Sequence, residues 1–84
     1  MVIRQVKPVY PHTALITHTE GIAVLRAIVE KDGTVQDLRV ISGSPLLVSS
    51  AVDAVRQWQF KPYFLNGLPI EVETQVTVNF VINR

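Results

Sequence analysis

The chain has no cysteine, which excludes a disulfide framework, a thiolate metal site and a cysteine nucleophile at once. No apolar run approaches the ~20 residues that cross a bilayer as a helix, and the start does not read as a secretory leader. No charge sign dominates: eight basic residues oppose seven acidic ones, a net charge of +1. The basic residues stand singly along the chain, so the clustered cationic footprint of a nucleic-acid binder is missing and no nucleic acid is expected as a partner. Gly33, Gly43 and Gly67 are isolated, so no loop is glycine-rich enough to cradle a phosphate. His12 and His18 are six apart, off the spacing that puts two ligands on one helical face, and no metal or cofactor is expected. Glu71 and Glu73 alternate on one strand face and form a possible carboxylate pair, but charge guarding a strand edge is the preferred reading. Ser42-Gly43-Ser44 has no histidine base and acid in register. Without an acid, base and nucleophile set, the chain reads as a binding module and not as an enzyme.

What is present is apolar. Hydrophobic residues make up 48% of the 84 residues against 18% charged, which is far from the polar composition of a disordered tail. The length fits a single domain over 1–84. Residues 1–11 carry Pro8 and Pro11, which favour an extended N-terminal segment leading into a folded core over 12–84. Residues 12–18 suit a helix of at most two turns, opened by Pro11 and ended near Gly21. Two β-rich runs, 22–30 and 34–42, flank Lys31-Asp32-Gly33, and Asp-Gly in that setting predicts a hairpin. The apolar parity of the second run switches between Val35 and Leu38, which predicts a bulge near Gln36-Asp37. Ser44 and Pro45 open a long helix over Leu46–Gln59, in which Leu47, Ala51, Ala54, Val55 and Trp58 form one apolar stripe. Trp58 therefore reads as a core anchor at the end of that helix. Asn66-Gly67 marks a turn. Residues 69–82 then alternate cleanly, with Val72, Thr74, Val76, Val78, Phe80 and Ile82 on one face.

These elements predict an α+β domain. Its three-stranded antiparallel sheet has the order second–first–third (2-1-3), one long helix on one face, and a short N-terminal helix. The last strand is then a long edge with unpaired main-chain groups. The second face of the first strand, with Ile22, Val24 and Ile28 joined by Val81, is apolar enough to predict a homodimer.

Taken together, these motifs resemble the TonB C-terminal domain family. The resemblance is carried in order by Pro8-Val9-Tyr10-Pro11 with Ala14, Glu20-Gly21, Asp32-Gly33-x-Val35 and Ser42-Gly43-Ser44-Pro45-Leu46-Leu47. It continues through Ala51, Ala54-Val55, Trp58-x-Phe60-x-Pro62, Asn66-Gly67-x-Pro69-Ile70 and an alternating last strand with Phe80. It implies a periplasmic domain of an inner-membrane-anchored energy transducer that works with proton-driven motor proteins in energised import. It also implies a partner, the short N-terminal TonB box of outer-membrane receptors, taken up by β-augmentation along the last strand. That strand corresponds here to Glu73, Thr74, Gln75, Val76, Thr77, Val78, Asn79 and Phe80. Lys7, Val9 and Tyr10 of the N-terminal segment are implied as further partner contacts. The best-known representative has Gln-Pro-Gln before Tyr-Pro, where this chain has Lys7, Pro8 and Val9. The family's membrane helix and proline-rich spacer are not in these residues, so a longer protein is expected. A structural dimerisation or scaffold module of an envelope or sensor protein, without energy transduction, is the competing reading.

Overall fold

Alternation, turn chemistry and one amphipathic stripe account for most of the elements. The computed structural model describes residues 2–82. In chain order they form β1 (Val2–Arg4), α1 (His12–Ile16), β2 (Gly21–Val29), β3 (Val35–Ser42), α2 (Pro45–Val55), β4 (Gln59–Phe60), β5 (Tyr63–Leu65), β6 (Leu68–Ile70) and β7 (Val72–Phe80). The main sheet is antiparallel with the order β3-β2-β7, which is the predicted second–first–third arrangement. The helix count also agrees, with α1 a single short helix and α2 the long one.

The β2–β3 hairpin closes through Glu30 N–H to the Thr34 carbonyl at 2.8 Å and Gly33 N–H to the Glu30 carbonyl at 2.9 Å. Asp32 Oδ1 accepts from the Thr34 N–H at 3.0 Å and its hydroxyl at 2.7 Å. Gly33 takes φ of 87°, the left-handed region that glycine enters without strain. The bulge falls where parity predicts it: Ile28 pairs Asp37 and Val29 pairs Val35, leaving Gln36 extra. A second shift leaves Ile41 extra, between the Leu25–Val40 and Val24–Ser42 pairs.

α2 begins as expected, with Pro45 at its start and Ser44 Oγ accepting the Leu46 N–H at 3.3 Å. Leu47, Ala51 and Val55 are buried against Ala23, Leu25, Ala27 and Val29 of β2 and Val76, Val78 and Phe80 of β7, and Ala54 is buried as well. Small side chains, Ala23 and Ala27 on the sheet and Ala51 on the helix, belong to the same single cluster as the large ones.

Three expectations need correction. The long helix stops at Val55 and does not reach Gln59. Its last turn tightens through Gln57 N–H to Ala54 and Trp58 N–H to Val55, and Gln59–Phe60 leave as β4 to pair with β1. Tertiary pairing thus overrides a stripe whose spacing continues through Trp58. Trp58 lies beyond the helix and is half-buried, packed on the margin of the core. Second, the N-terminal segment is part of the fold: β1 pairs β4, and Val2 and Tyr10 pack on the core. Third, 69–82 is not one strand. Residues 68–70 belong to a β5–β6 hairpin, and β7 covers Val72–Phe80, leaving Val81 and Ile82 outside it. The hairpin turn is Asn66-Gly67, both with positive φ, 52° and 80°, which is the signature of a two-residue turn that matches strand twist. That signal was present in the sequence as Asn-Gly between apolar residues, read there as a turn without its strands.

Candidate functional site

Which main-chain groups β7 offers to a partner follows from ladder parity. Glu30 directs its N–H and C=O to the β3 side. Main-chain groups in a strand point alternately to its two edges, so the even-numbered residues of β2 face β3 and the odd-numbered ones face β7. The β2–β7 register runs unshifted from Gly21–Phe80 through Leu25–Val76 to Val29–Val72. Thr74, Val76, Val78 and Phe80 therefore spend their main-chain groups on β2. Their side chains face the core, with Val76, Val78 and Phe80 buried. Glu73, Gln75, Thr77 and Asn79 direct theirs to the outer edge, and their side chains are exposed. Among the described residues, β7 pairs with β2 alone. The Arg26 Nε to Glu73 Oε1 ion pair, 3.4 Å long with both side chains more than half exposed, lies across the open sheet face and adds at most about 1 kcal/mol.

The opposite edge of the sheet, β3, is a poorer template. Its two bulges interrupt the spacing that an added strand would have to match. β7 has no such break over nine residues.

The N-terminal segment runs beside the outer edge of β7. One cleft of about 360 Å³ is lined by Gln5, Trp58, Phe60 and Tyr63 against Thr74–Thr77. A second of about 230 Å³ is lined by Gln5–Pro8 and Trp58 against Thr77–Asn79. Trp58, missed as a feature of this edge because its spacing fitted a helix, borders both. Its indole N–H donates to the Val6 carbonyl at 3.0 Å, and its ring lies 6.3 Å from that of Phe60. Of the three residues implied in this segment, Lys7 lines the second cleft. Val9 is 80% exposed, and its carbonyl accepts the Ser50 hydroxyl. Tyr10 is edge-on to Phe80 with ring centroids 5.5 Å apart and donates its hydroxyl to the Thr19 carbonyl. That contact fixes the segment against one end of β7.

Glu71 and Glu73 turn to different neighbours. Glu73 turns to Arg26, whereas Glu71 stands beside Glu30, one step past the Val29–Val72 pair. No group of three metal-ligating side chains occurs among the described residues. Glu30 is half-buried, and its Oε1 is shielded from solvent with no hydrogen-bond partner. Desolvation, then the neighbouring Glu71 carboxylate, raises its pKa above the ordinary carboxylate value. Asp32 is shifted the other way, because the Thr34 hydroxyl and N–H bond its charged form. The signs fix the pH response. The native state binds the Glu30 proton more tightly than the unfolded chain does. Stability from that group is complete below the ordinary carboxylate pKa and is lost as pH rises through the raised one. The Asp32 contribution is present above the ordinary value and is lost as pH falls through the depressed one. Urea midpoints are therefore expected to rise from pH 7 into mild acid and to fall at lower pH. Glu30→Gln should abolish the rise, and Asp32→Asn should reduce the fall. An unchanged rise in Glu30→Gln would remove this group as its source.

Residues 6–82 match the family described as Gram-negative bacterial TonB protein C-terminal. Over 82 residues the chain is 32% identical to protein TonB of Vibrio cholerae serotype O1, a match covering 95% of this chain and 34% of that protein. The chain thus spans about a third of the length of this curated relative. The fold is similar to the solution NMR structure of the Pseudomonas aeruginosa TonB CTD, with a TM-score of 0.82 at 23% identity over 100% of this chain and 87% of that one.

Proposed function

The chain belongs to the TonB C-terminal family, and from that premise we propose that it is the receptor-binding domain of a TonB-like energy transducer. In this reading it captures the N-terminal TonB box of outer-membrane receptors as a strand added to β7, in support of energised import. The domain then lies in the periplasm, tethered to the inner membrane and coupled to proton-driven motor proteins by parts of the protein outside these residues. No helix among the described residues is long and apolar enough to cross a membrane.

The observation that carries the proposal is the outer edge of β7. It is regular, joined to no other strand among the described residues, and pinned in register by the buried Val76, Val78 and Phe80. Strand addition uses main-chain bonds for affinity and alternate side chains for specificity. Each such bond contributes about 0.5–1.5 kcal/mol net. A peptide spanning Glu73–Asn79 reaches about micromolar affinity once its ordering cost is subtracted.

Titrating the labelled domain with a synthetic TonB-box peptide tests this directly. The largest amide shifts are expected at Glu73, Gln75, Thr77 and Asn79. Shifts concentrated on residues 35–41, with 73–80 unmoved, would reject the edge assignment. A second reading, a homodimeric scaffold module, draws on the half-exposed Ile22 beside Val24 and Ile28 on the open sheet face. In that case the peptide leaves β7 silent and the amides of 22–28 move with protein concentration instead.

A further inference from the structure

One step beyond the last pair of the β2–β7 ladder, Val29–Val72, the register sets Glu30 opposite Glu71. Glu30 turns its N–H and C=O to the β3 side, so β2 and the chain entering β7 exchange no main-chain bond at this place. Opposed side chains come closest at such a pair, with Cβ atoms about 4.5–5.5 Å apart, and like charges there repel. Yet Glu30 Oε1 is shielded from solvent and has no hydrogen-bond partner among the described residues. An oxygen held out of water beside a second carboxyl group is satisfied by a proton that the two groups share. The other charged groups nearby do not replace that proton. Asp32 is committed to Thr34, Arg26 to Glu73 and Arg39 to Asp37. Lys31 acts on Glu30 only through its charge, with no ion pair between them among the described residues.

Glu71 is also a joint, the single residue between β6 and β7. The β5–β6 hairpin forms a sheet of its own and pairs with no other strand among the described residues. It leaves β4 through Lys61-Pro62 and returns through Glu71. Whatever holds Glu71 therefore sets how the hairpin lies against the end of the main sheet. We infer that Glu30 and Glu71 form a proton-operated clasp on this joint, closed while the pair holds one proton and open when both carboxylates are charged. The clasp stands apart from the proposed peptide seat on β7 and does not depend on it. Closed, the shared proton bridges the end of β2 to the neck of the hairpin. Open, two like charges face each other across the ladder and push the neck away, while the buried Val29 keeps the neighbouring pair in place. The load on the clasp is apolar. No residue from 63 to 70 is charged, and Phe64, Leu65 and Leu68 are exposed. The protonation of the pair thus decides whether that surface is held at one angle or swings. Desolvation and the facing Glu71 strengthen the hold of Glu30 on its proton, so closure reaches above the usual carboxylate range of pH.

The test is a pH titration of the chain by NMR, reading the side-chain carboxyl carbons of Glu30 and Glu71 and the amides of residues 63–70. In the wild type the two carboxyls are expected to titrate as a coupled pair, one of them above the ordinary glutamate value. The hairpin amides should shift and gain mobility along the same curve as pH rises. Asp32 is held below its ordinary value, so its own titration falls elsewhere. Glu71→Gln offers Glu30 an amide donor that no pH change removes, and its hairpin should keep the closed pattern throughout. Glu71→Ala leaves no bridge, and its hairpin should keep the open pattern throughout. Amides of residues 22–26 show whether each variant retains the main sheet. Hairpin amides that ignore pH in the wild type while Glu30 titrates would overturn the clasp. So would a Glu30 that titrates at the ordinary value, or a Glu71→Gln hairpin that still follows pH. The wild-type curves decide the matter even if a variant does not fold.

Discussion

Gly33→Ala is expected to remove most or all of the domain's stability, whereas Gly67→Ala should be mild, although both glycines have positive φ, 87° and 80°. The difference is in what surrounds them. A Cβ on Gly33 would stand 1.9 Å from the Phe60 carbonyl oxygen and 2.7 Å from Gln59 Nε2, while one on Gly67 meets nothing within 4 Å. The clash at Gly33 is with backbone, so the hairpin tip would have to leave β4. That breaks Phe60 N–H to the Gly33 carbonyl at 2.8 Å and Gln59 Nε2 to the Asp32 carbonyl at 2.9 Å, and it loosens the buried Phe60. Left-handed strain of ~1–2 kcal/mol, two hydrogen bonds of ~1 kcal/mol each and lost burial of Phe60 together reach about 4–6 kcal/mol. A domain of this size has little more than that in total. Gly67→Ala should cost about 1 kcal/mol from strain alone. Paired urea melts measure both. Equal midpoints would mean that the hairpin tip is not stapled to β4.

The second large effect concerns binding. Thr77→Pro is expected to weaken capture of a TonB-box peptide beyond detection, at least ~100-fold from a micromolar parent. The Thr77 N–H points away from β2, so its loss removes no bond of the fold, and proline is tolerated on the solvent side of an edge strand. It does remove a donor from the middle of the docking ladder and places a ring where the incoming main chain must lie. Val78→Pro, one residue on, deletes a bond to β2 and should unfold the protein. Thr77→Ala keeps the N–H and should bind within about twofold, since the exposed hydroxyl contributes little. Calorimetric titration of the three variants, with a folding check on each, separates main-chain from side-chain recognition. Micromolar binding by a folded Thr77→Pro would show that the peptide does not pair on this edge.

How far the sequence carried the structure depends on the range of each signal. Asp32-Gly33, the parity switch near Gln36-Asp37 and the alternation within 69–82 are local, and each predicted its element, the last with bounds too wide at both ends. The end of α2 is not local. The stripe through Leu47, Ala51, Ala54 and Val55 continues by spacing to Trp58, and what stops it is the pairing of Gln59–Phe60 with Arg4, Val2 and Thr34. Partners so distant, across strands of two or three residues, leave no periodicity to read. The candidate edge was legible as a strand, because its polar and apolar faces alternate. Its division into inward and outward main-chain groups was not, since side-chain pattern reports which face a residue takes and is silent about which edge its N–H takes. That came from the bonds that close the hairpin at Glu30. Trp58 at the edge was hidden for the same reason as the end of the helix.

The contrast between the two ladders of β2 has a mechanical meaning. Toward β7 the register is unbroken over nine residues, while toward β3 it shifts twice. A pull along the axis of β7 loads its bonds to β2 in shear, so they share the tension and must fail nearly together. The same pull on β3 would find two weak points where the strands can part a few bonds at a time. Traction applied at the outer edge is thus led through β7 into the middle strand and its packed face, and the bulged strand carries little of it.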